Sequence, residues 1–208
     1  MPNWVSNSVH LKGSKEDLNN LRKSVNKEEE SKVMDLTSLI NGDDPVKATE
    51  TIVKHHEFNF DSIIPMPEEL KGTSSNGTVR PELEKKYGHS DWYHWCIHNW
   101  GTKWNACDVK WHDDTHVTFD TAWAAPFEIF EALSEQHPNV EMHIKYADED
   151  IGYNCGEIVL HNEKGACVHD DYTEYPNNYH RKKDVLIECK SYLIHDYDFE
   201  KDEWINND

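Results

Sequence analysis

The stretch NACDVKWHDDTHVTFDTAW, residues 105–123, decides the fold because it describes a β-hairpin with one apolar face. Two strand-like runs, 105–112 and 116–123, are joined by three polar residues. The register that such a three-residue loop sets pairs 112 with 116, 109 with 119, and 108 with 120. The apolar side chains of the two strands then share one face: Cys107, Val109, Trp111, Val117, Phe119 and Trp123.

Upstream of the hairpin, the sequence predicts two strands separated by two helices. Residues 3–12 alternate between apolar and polar side chains, which is typical of a half-buried strand. Ser14 begins a helix, and Pro45 suits the first turn of a second helix that runs to about His56. Alternation resumes over residues 58–63 and predicts the next strand.

Cap residues mark helices on both sides of the hairpin. Ser90 precedes a helix that ends before Gly101, and Pro126 begins another. Two further alternating segments, 139–147 and 154–161, predict a pair of strands after that second helix. The chain therefore continues as helix, hairpin, helix and hairpin.

These elements predict an α+β fold of ferredoxin-like type. Strand–helix–strand units recur at 3–64 and 116–147, and hairpins lie between them. We expect an antiparallel sheet with helices on one face, in a domain of residues 1–164 with a helical insertion near 14–56. Residues 165–208 are predicted to be an acidic C-terminal extension packed on the same domain.

Composition and charge indicate which partners the protein can bind and in which cellular compartment it functions. The 208 residues carry 21 Lys and Arg against 40 Asp and Glu, a net charge of −19, so we expect no direct nucleic-acid binding. No apolar run approaches the ~20 residues of a membrane helix, and residues 1–13 lack the apolar core of a secretory signal. Five cysteines without CxxC spacing are expected to be free thiols in a reducing cytoplasm.

Several blocks of the sequence resemble the YubB-like family of phage- and plasmid-borne proteins. They include the N-terminal Pro2-Asn3-Trp4, IPMPEEL at 64–70, NWGTKWNA at 99–106 and FDTAW at 119–123. The resemblance implies a ferredoxin-like domain and a mobile-element origin, and it implies no activity. Position 5 is Val where many members of the family have Cys.

A tryptophan-rich block is the candidate ligand site. Six tryptophans fall within residues 92–123, with amides and a lysine between them. Aromatic walls, amides and one lysine suit a planar anionic ligand such as a nucleotide, although large aromatic rings also fill cores. Lys103 would meet the anionic group while the rings stack. The predicted ligand-binding residues are Asn99, Trp100, Lys103, Trp104, Asn105, Asp120 and Trp123.

The polar face of the hairpin places Asp108 opposite Asp120 in the predicted register, and like charges directly opposite each other are destabilising. Lys110, diagonal to Asp120, is the simplest compensation, and a bound metal or a shared proton is an alternative. His112 and His116 lie at the end of this face. His112 is about 13 Å along the strand from Asp108, too far for one metal site. The face is predicted to be solvated or to bind a ligand.

Other possible catalytic or metal-binding groups are weaker. His94 and His98 stand one helical turn apart, with Asp91 a turn earlier, and such a pair can bind zinc. An exposed polar stripe explains the same spacing. Cys167 and His169 share one face of an alternating segment, but no acid is placed to orient them. We therefore predict neither a metal site nor a cofactor.

We expect a non-enzymatic accessory protein of a phage or mobile element, acting in the host cytoplasm to counter host defence. Its partner is predicted to be a small molecule, such as a nucleotide, or a host protein, and a homo-oligomer is compatible with the sequence. One alternative is a metal-dependent hydrolase of nucleotides that uses Asp108 and Asp120 as its carboxylates. Another is an acidic structural protein or DNA mimic.

Overall fold

The computed structural model describes residues 2–34, 49–150, 154–163, 166–174, 179–190, 197–198, 201 and 203–204. The strands within these residues are β1 (Trp4–Lys12), β2 (Lys27–Met34), β3 (Thr49–His56), β4 (Cys107–Trp111), β5 (His116–Ala122), β6 (Glu141–Asp148), β7 (Cys155–Glu163), β8 (Ala166–Glu174), β9 (Tyr197–Asp198) and β10 (Glu203–Trp204). The helices are α1 (Lys15–Ser24), α2 (Phe60–Ile63), α3 (Glu68–Lys71), α4 (Pro81–Tyr87), α5 (Trp92–Trp100), α6 (Phe127–Gln136) and α7 (Tyr179–Cys189).

Six strands form one antiparallel sheet in the order β4-β5-β1-β6-β7-β8. The first four of these strands, with α1 and α6, make two interleaved β-α-β units in which β1 lies between β5 and β6. This is the ferredoxin-like arrangement, and the predicted α+β fold is confirmed. Strands β7 and β8 extend the sheet beyond that unit.

The core lies between one face of the sheet and helices α1 and α6. Alternation along β1 buries Val5 and Val9 on this face, while intervening side chains point to the other. Leu21 of α1 and Phe130 and Leu133 of α6 are fully buried against the sheet. Phe130 and Leu133 lie on one stripe of α6, which is therefore its packing face.

The β4–β5 hairpin keeps the predicted register near its turn and departs from it further along. The backbone N–H of His112 donates to the carbonyl of His116 at 2.9 Å, as expected. Beyond a register shift, Cys107 rather than Asp108 pairs with Asp120. Asp108 has φ 50°, a left-handed conformation that suits a bulge. The prediction that Asp108 stands directly opposite Asp120 is wrong by one residue.

A second hairpin replaces the helix predicted before α2. Strand β3 pairs antiparallel with β2 over eight residues each. The predicted helix from Pro45 to about His56 is therefore wrong over residues 49–56, and residues 45–48 lie outside the described part of the chain. The insertion near 14–56 contains α1 followed by a β-hairpin.

Two local predictions fail because polar side chains cap short helices. The predicted strand at 58–63 is wrong, since Asn59 caps α2 by accepting the backbone N–H of Asp61 at 2.8 Å. Helix α5 is present as predicted, but its cap is Asp91 rather than Ser90. The Asp91 carboxylate accepts the backbone N–H of His94 at 3.0 Å.

Strand β8 and helix α7, from residues 165–208, join the six-stranded sheet and pack on it, respectively. Strand β8 pairs with β7, and helix α7 covers part of the sheet face opposite α1 and α6. Leu186 and Val185 of α7 are buried there. None of the helices in the described ranges combines the length and hydrophobicity needed to cross a bilayer.

Candidate functional site

A cavity of about 380 Å³ lies between the base of the β2–β3 hairpin, the short helices α2 and α3, and helix α5. Its volume falls within the range of ~300–1,000 Å³ that is typical of small-molecule sites. Aromatic, cationic and amide side chains line it, among them Lys27, Asp61, Lys71, Trp92, Trp100 and Asn105. The cavity therefore combines an apolar wall with groups that can fix the orientation of a ligand.

The walls of this cavity are held rigidly. Trp100 is 5% exposed, and its Nε1 donates to the Ile64 carbonyl at 2.9 Å. Its ring contacts the edge of Phe60, with the centroids 5.9 Å apart. Asn105 Oδ1 accepts the backbone N–H groups of Phe60 at 2.8 Å and Ala106 at 2.9 Å. These contacts fix the indole and the amide before any ligand arrives.

Asp61 positions two lysines at the cavity. Lys27 Nζ donates to Asp61 Oδ2, and Lys71 Nζ donates to the same oxygen at 3.1 Å. The backbone N–H of Met66 donates to Oδ1 at 2.8 Å. Burial raises the pKa of Asp61, but these hydrogen bonds outweigh it and hold the pKa below its ordinary value. The carboxylate is thus ionised, and both ammonium groups face one small volume.

Two of the seven predicted ligand-binding residues, Trp100 and Asn105, line the cavity. Asn99 lies beside them, but its Nδ2 donates to the Trp95 carbonyl at 2.9 Å and holds the last turn of α5. Gly101 then ends the helix with φ 74°, as predicted, and directs the chain away from it. The remaining four predicted residues lie elsewhere.

Lys103, Trp104 and Trp123 form a separate cluster on the surface. The Lys103 ammonium lies 4.2 Å from the ring centroid of Trp104 and 4.9 Å from that of Trp123. Tyr93 adds a third ring at 5.9 Å, and Trp123 is 42% exposed. These cation–π contacts place the charge of Lys103 among its own aromatic neighbours. Lys27 and Lys71, rather than Lys103, line the cavity.

Asp120 lies on the sheet face opposite the core. Ser6 Oγ donates to its Oδ1 at 2.6 Å. It borders a recess of about 270 Å³ beside α7, whose lining also includes Asp108, His116 and Glu188. The structure therefore divides the predicted site among a cavity, a surface cluster and this recess.

The recess adjoins a group of residues that the sequence analysis did not predict to lie together. His10 Nε2 lies 2.8 Å from Glu188 Oε1, and Ser8 Oγ donates to that oxygen at 2.5 Å while lying 2.9 Å from His116 Nε2. Burial raises the pKa of Glu188, but hydrogen bonds from Lys145, Ser8 and His10 lower it to about 2. Burial, and then the charge of His10, lower the pKa of His116. A carboxylate and two imidazoles thus meet here.

One sequence signal could have located the two histidines of this group of three. His10 occupies a polar position in the alternation of β1, and the register places it opposite His116. Glu188 lies 178 residues after His10 in the sequence. Its contribution depends on where α7 docks, and local sequence does not determine that.

The other candidate groups do not assemble in the described residues. His94 Nδ1 is 2.9 Å from Asp91, whereas the ring of His98 packs against His89 with centroids 4.9 Å apart. Cys96, Cys107, Cys155 and Cys189 form no disulfide, and burial raises the pKa of Cys96 to about 12, which disfavours a reactive thiolate. The side chains of the predicted pair at 167 and 169 lie outside the described part of the chain.

Comparison with known proteins supports the ferredoxin-like domain that the topology defines. Residues 99–187 match the family model described as a ferredoxin-like domain in Api92-like protein. The crystal structure of protein Api92 from Yersinia pseudotuberculosis is similar, with a TM-score of 0.54 at 12% identity over 84% of this chain and 98% of that chain. None of the curated proteins matches. The matches support the fold and carry no evidence on the YubB-like resemblance.

Proposed function

We propose that this protein is a non-enzymatic binding protein for a small planar molecule with an anionic group. The observation that carries the proposal is the cavity of about 380 Å³, which joins tryptophan walls to two lysines. A planar ring stacks on an indole, and ammonium groups compensate a phosphate or carboxylate. Nucleotides have this combination of features.

Two lysines at the cavity offer ammonium groups to an anionic ligand, although the protein carries a net charge of −19. Lys27 and Lys71 share the single carboxylate oxygen Asp61 Oδ2, and the lining also includes the exposed carboxylate of Glu57, so two positive charges meet two negative ones. Lys71 also bonds the exposed Glu68 at 2.6 Å, a surface contact that water screens. A ligand phosphate can therefore bind Lys27 while Asp61 holds the lysine in place.

Titration with nucleoside monophosphates tests the cavity directly. We expect at least one of AMP, GMP, CMP and UMP to bind, and Lys27→Met to weaken that binding about tenfold, which corresponds to about 1.4 kcal/mol. Lys103→Met is the matched control, because it removes the same charge from the surface cluster, and its affinity should stay within twofold. Isothermal titration calorimetry measures both values.

Two results would refute the cavity as the ligand site. One is that none of the four nucleotides binds and that native mass spectrometry of protein from expressing cells finds no adduct. The other is that Lys103→Met abolishes binding while Lys27→Met does not, which would restore the site predicted from the tryptophan-rich block.

The biological setting follows from the YubB-like resemblance. We assign the protein to a phage or related mobile element, where it would withdraw a host signalling molecule or occupy a host protein in the cytoplasm and so counter host defence. Native mass spectrometry of protein from phage-infected cells distinguishes these roles. A small adduct supports sequestration, and co-purification of one host protein supports the second role.

A metal-dependent hydrolase is the second candidate, and one observation favours it. Asp108 and Asp120 line the same recess as His112 and His116, although the bulge separates the two carboxylates. Nucleotide hydrolysis stimulated by Mn²⁺ or Zn²⁺ and reduced at least a hundredfold by Asp120→Asn is the expected result for this function. Asp114→Asn, at an exposed loop position, is the control. No turnover with either metal would exclude it.

A further inference from the structure

Three potential metal ligands from distant parts of the chain meet on the sheet face opposite the core. His10 comes from β1, His116 from β5 and Glu188 from α7. Their nearest ligand atoms all lie within 4.8 Å of one another, and no other such group of three occurs in the described part of the chain. The cavity of the proposed function is lined by other residues.

The Ser8 hydroxyl lies between two of the three candidate ligand atoms. Ser8 Oγ lies 2.9 Å from His116 Nε2 and 2.5 Å from Glu188 Oε1, so a single small group contacts two of the three ligands at once. His10 Nε2 reaches the same carboxylate oxygen at 2.8 Å. Ligand atoms around a tetrahedral zinc ion are about 3.3 Å apart, given zinc–nitrogen bonds of ~2.0–2.1 Å.

The surroundings hold these ligands in place. Lys145 Nζ donates to Glu188 Oε2 at 2.8 Å, which leaves Oε1 facing the histidines. The rings of His10 and His116 stack with their centroids 4.0 Å apart, and His112 stacks on the far side of His116 at 4.4 Å. Neighbours that fix the orientation of a ligand side chain strengthen metal binding.

We propose that His10, His116 and Glu188 bind a divalent transition-metal ion. Two imidazoles and one carboxylate are a known ligand set for zinc, and they leave a coordination position open. The adjoining recess of about 270 Å³ gives that position access to water or to an anionic ligand. The net charge of −19 attracts cations to the surface.

Zinc titration of the 208-residue chain, after removal of metals with a chelator, tests the proposal. We expect one ion per chain, and at least tenfold weaker binding in each of His10→Ala, His116→Ala and Glu188→Gln. His98→Ala is the control, because His98 is also exposed but lies on α5, away from this group. Its zinc affinity should equal that of the unaltered protein. Circular dichroism verifies that every variant is folded.

Cobalt supplies a readout that does not depend on variants. Co²⁺ bound to the unaltered protein should give visible d–d absorption of nitrogen and oxygen coordination, without a thiolate charge-transfer band, and zinc should displace it. Absence of stoichiometric binding would overturn the proposal. So would unchanged affinity in all three folded variants, an equal loss in His98→Ala, or a thiolate band that assigns the ion to cysteine.

Discussion

Replacing Phe119 with alanine is expected to lower the free energy of unfolding by about 3–5 kcal/mol, the range for deleting a buried aromatic side chain. Phe119 is 2% exposed and lies at the centre of the aromatic part of the core. Its ring stacks on Phe58 with centroids 4.7 Å apart and contacts Phe60 and Phe130 at 6.0 and 6.1 Å. Alanine would leave a cavity that three rigid neighbours cannot fill. Urea unfolding followed by tryptophan fluorescence measures the loss.

Trp123→Ala is the control for Phe119→Ala. Trp123 is 42% exposed, and its ring contacts are the surface contacts with Lys103 and Tyr93. We expect this change to cost less than about 1 kcal/mol. Equal losses in the two variants would contradict a core centred on Phe119. They would instead give the exposed tryptophan cluster a stabilising role.

The hairpin at residues 105–123 shows how far local sequence determines structure. Alternation over two strands and a short polar loop correctly identified Val109, Trp111, Val117 and Phe119 as core-facing, because a one-residue slip would expose them. Trp123, predicted on the same face, is instead 42% exposed. The bulge at Asp108 escaped prediction since it changes one residue only, and the apolar face on the turn side stays intact. That single residue altered the predicted pairing of two carboxylates.

At strand β3 two features of the sequence favour different structures, because Pro45 favours a helix and the β-branched side chains that follow favour a strand. Pro45 suits a helix start, but Thr49, Thr51, Ile52 and Val53 are β-branched, which favours a strand. Apolar periodicity alone does not separate the two over so short a segment. The misassigned segment contributes His56 to the cavity, so the cavity escaped prediction as well.

The two sites differ in how much of them could be predicted. Trp100 and Asn105 of the cavity lie within one block of sequence, and that block was identified. Lys27 comes from β2, a strand that the sequence analysis does not predict, and Asp61 comes from α2, which the analysis predicts as a strand. The metal group required Glu188, and its helix docks on a sheet face that was predicted to be uncovered.

Asp61→Asn is expected to lower the free energy of unfolding by about 2–3 kcal/mol at pH 7. The amide loses two hydrogen bonds to charged groups, each worth ~1.5–3 kcal/mol, and water around the partly exposed lysines reduces the sum. The Asp61 side chain is 12% exposed and bonds Lys27, Lys71 and the backbone of Met66. The control is Glu68→Gln, since that carboxylate is 83% exposed and bonds only Lys71. Its effect should be within about 0.5 kcal/mol.

The loss of unfolding free energy caused by Asp61→Asn should depend on pH in a definite direction. The pKa of Asp61 is lower in the folded protein than its ordinary value of 3.8, so its stabilisation is complete well above pH 3.8 and is lost as the pH falls through the folded-state pKa. The difference in unfolding free energy between the unaltered protein and the variant should therefore be constant from pH 8 to about pH 5 and shrink below about pH 4. Urea unfolding at each pH measures it. A difference that grows on acidification would mean that Asp61 is protonated in the folded protein, and Lys27 would then be unpaired at the cavity.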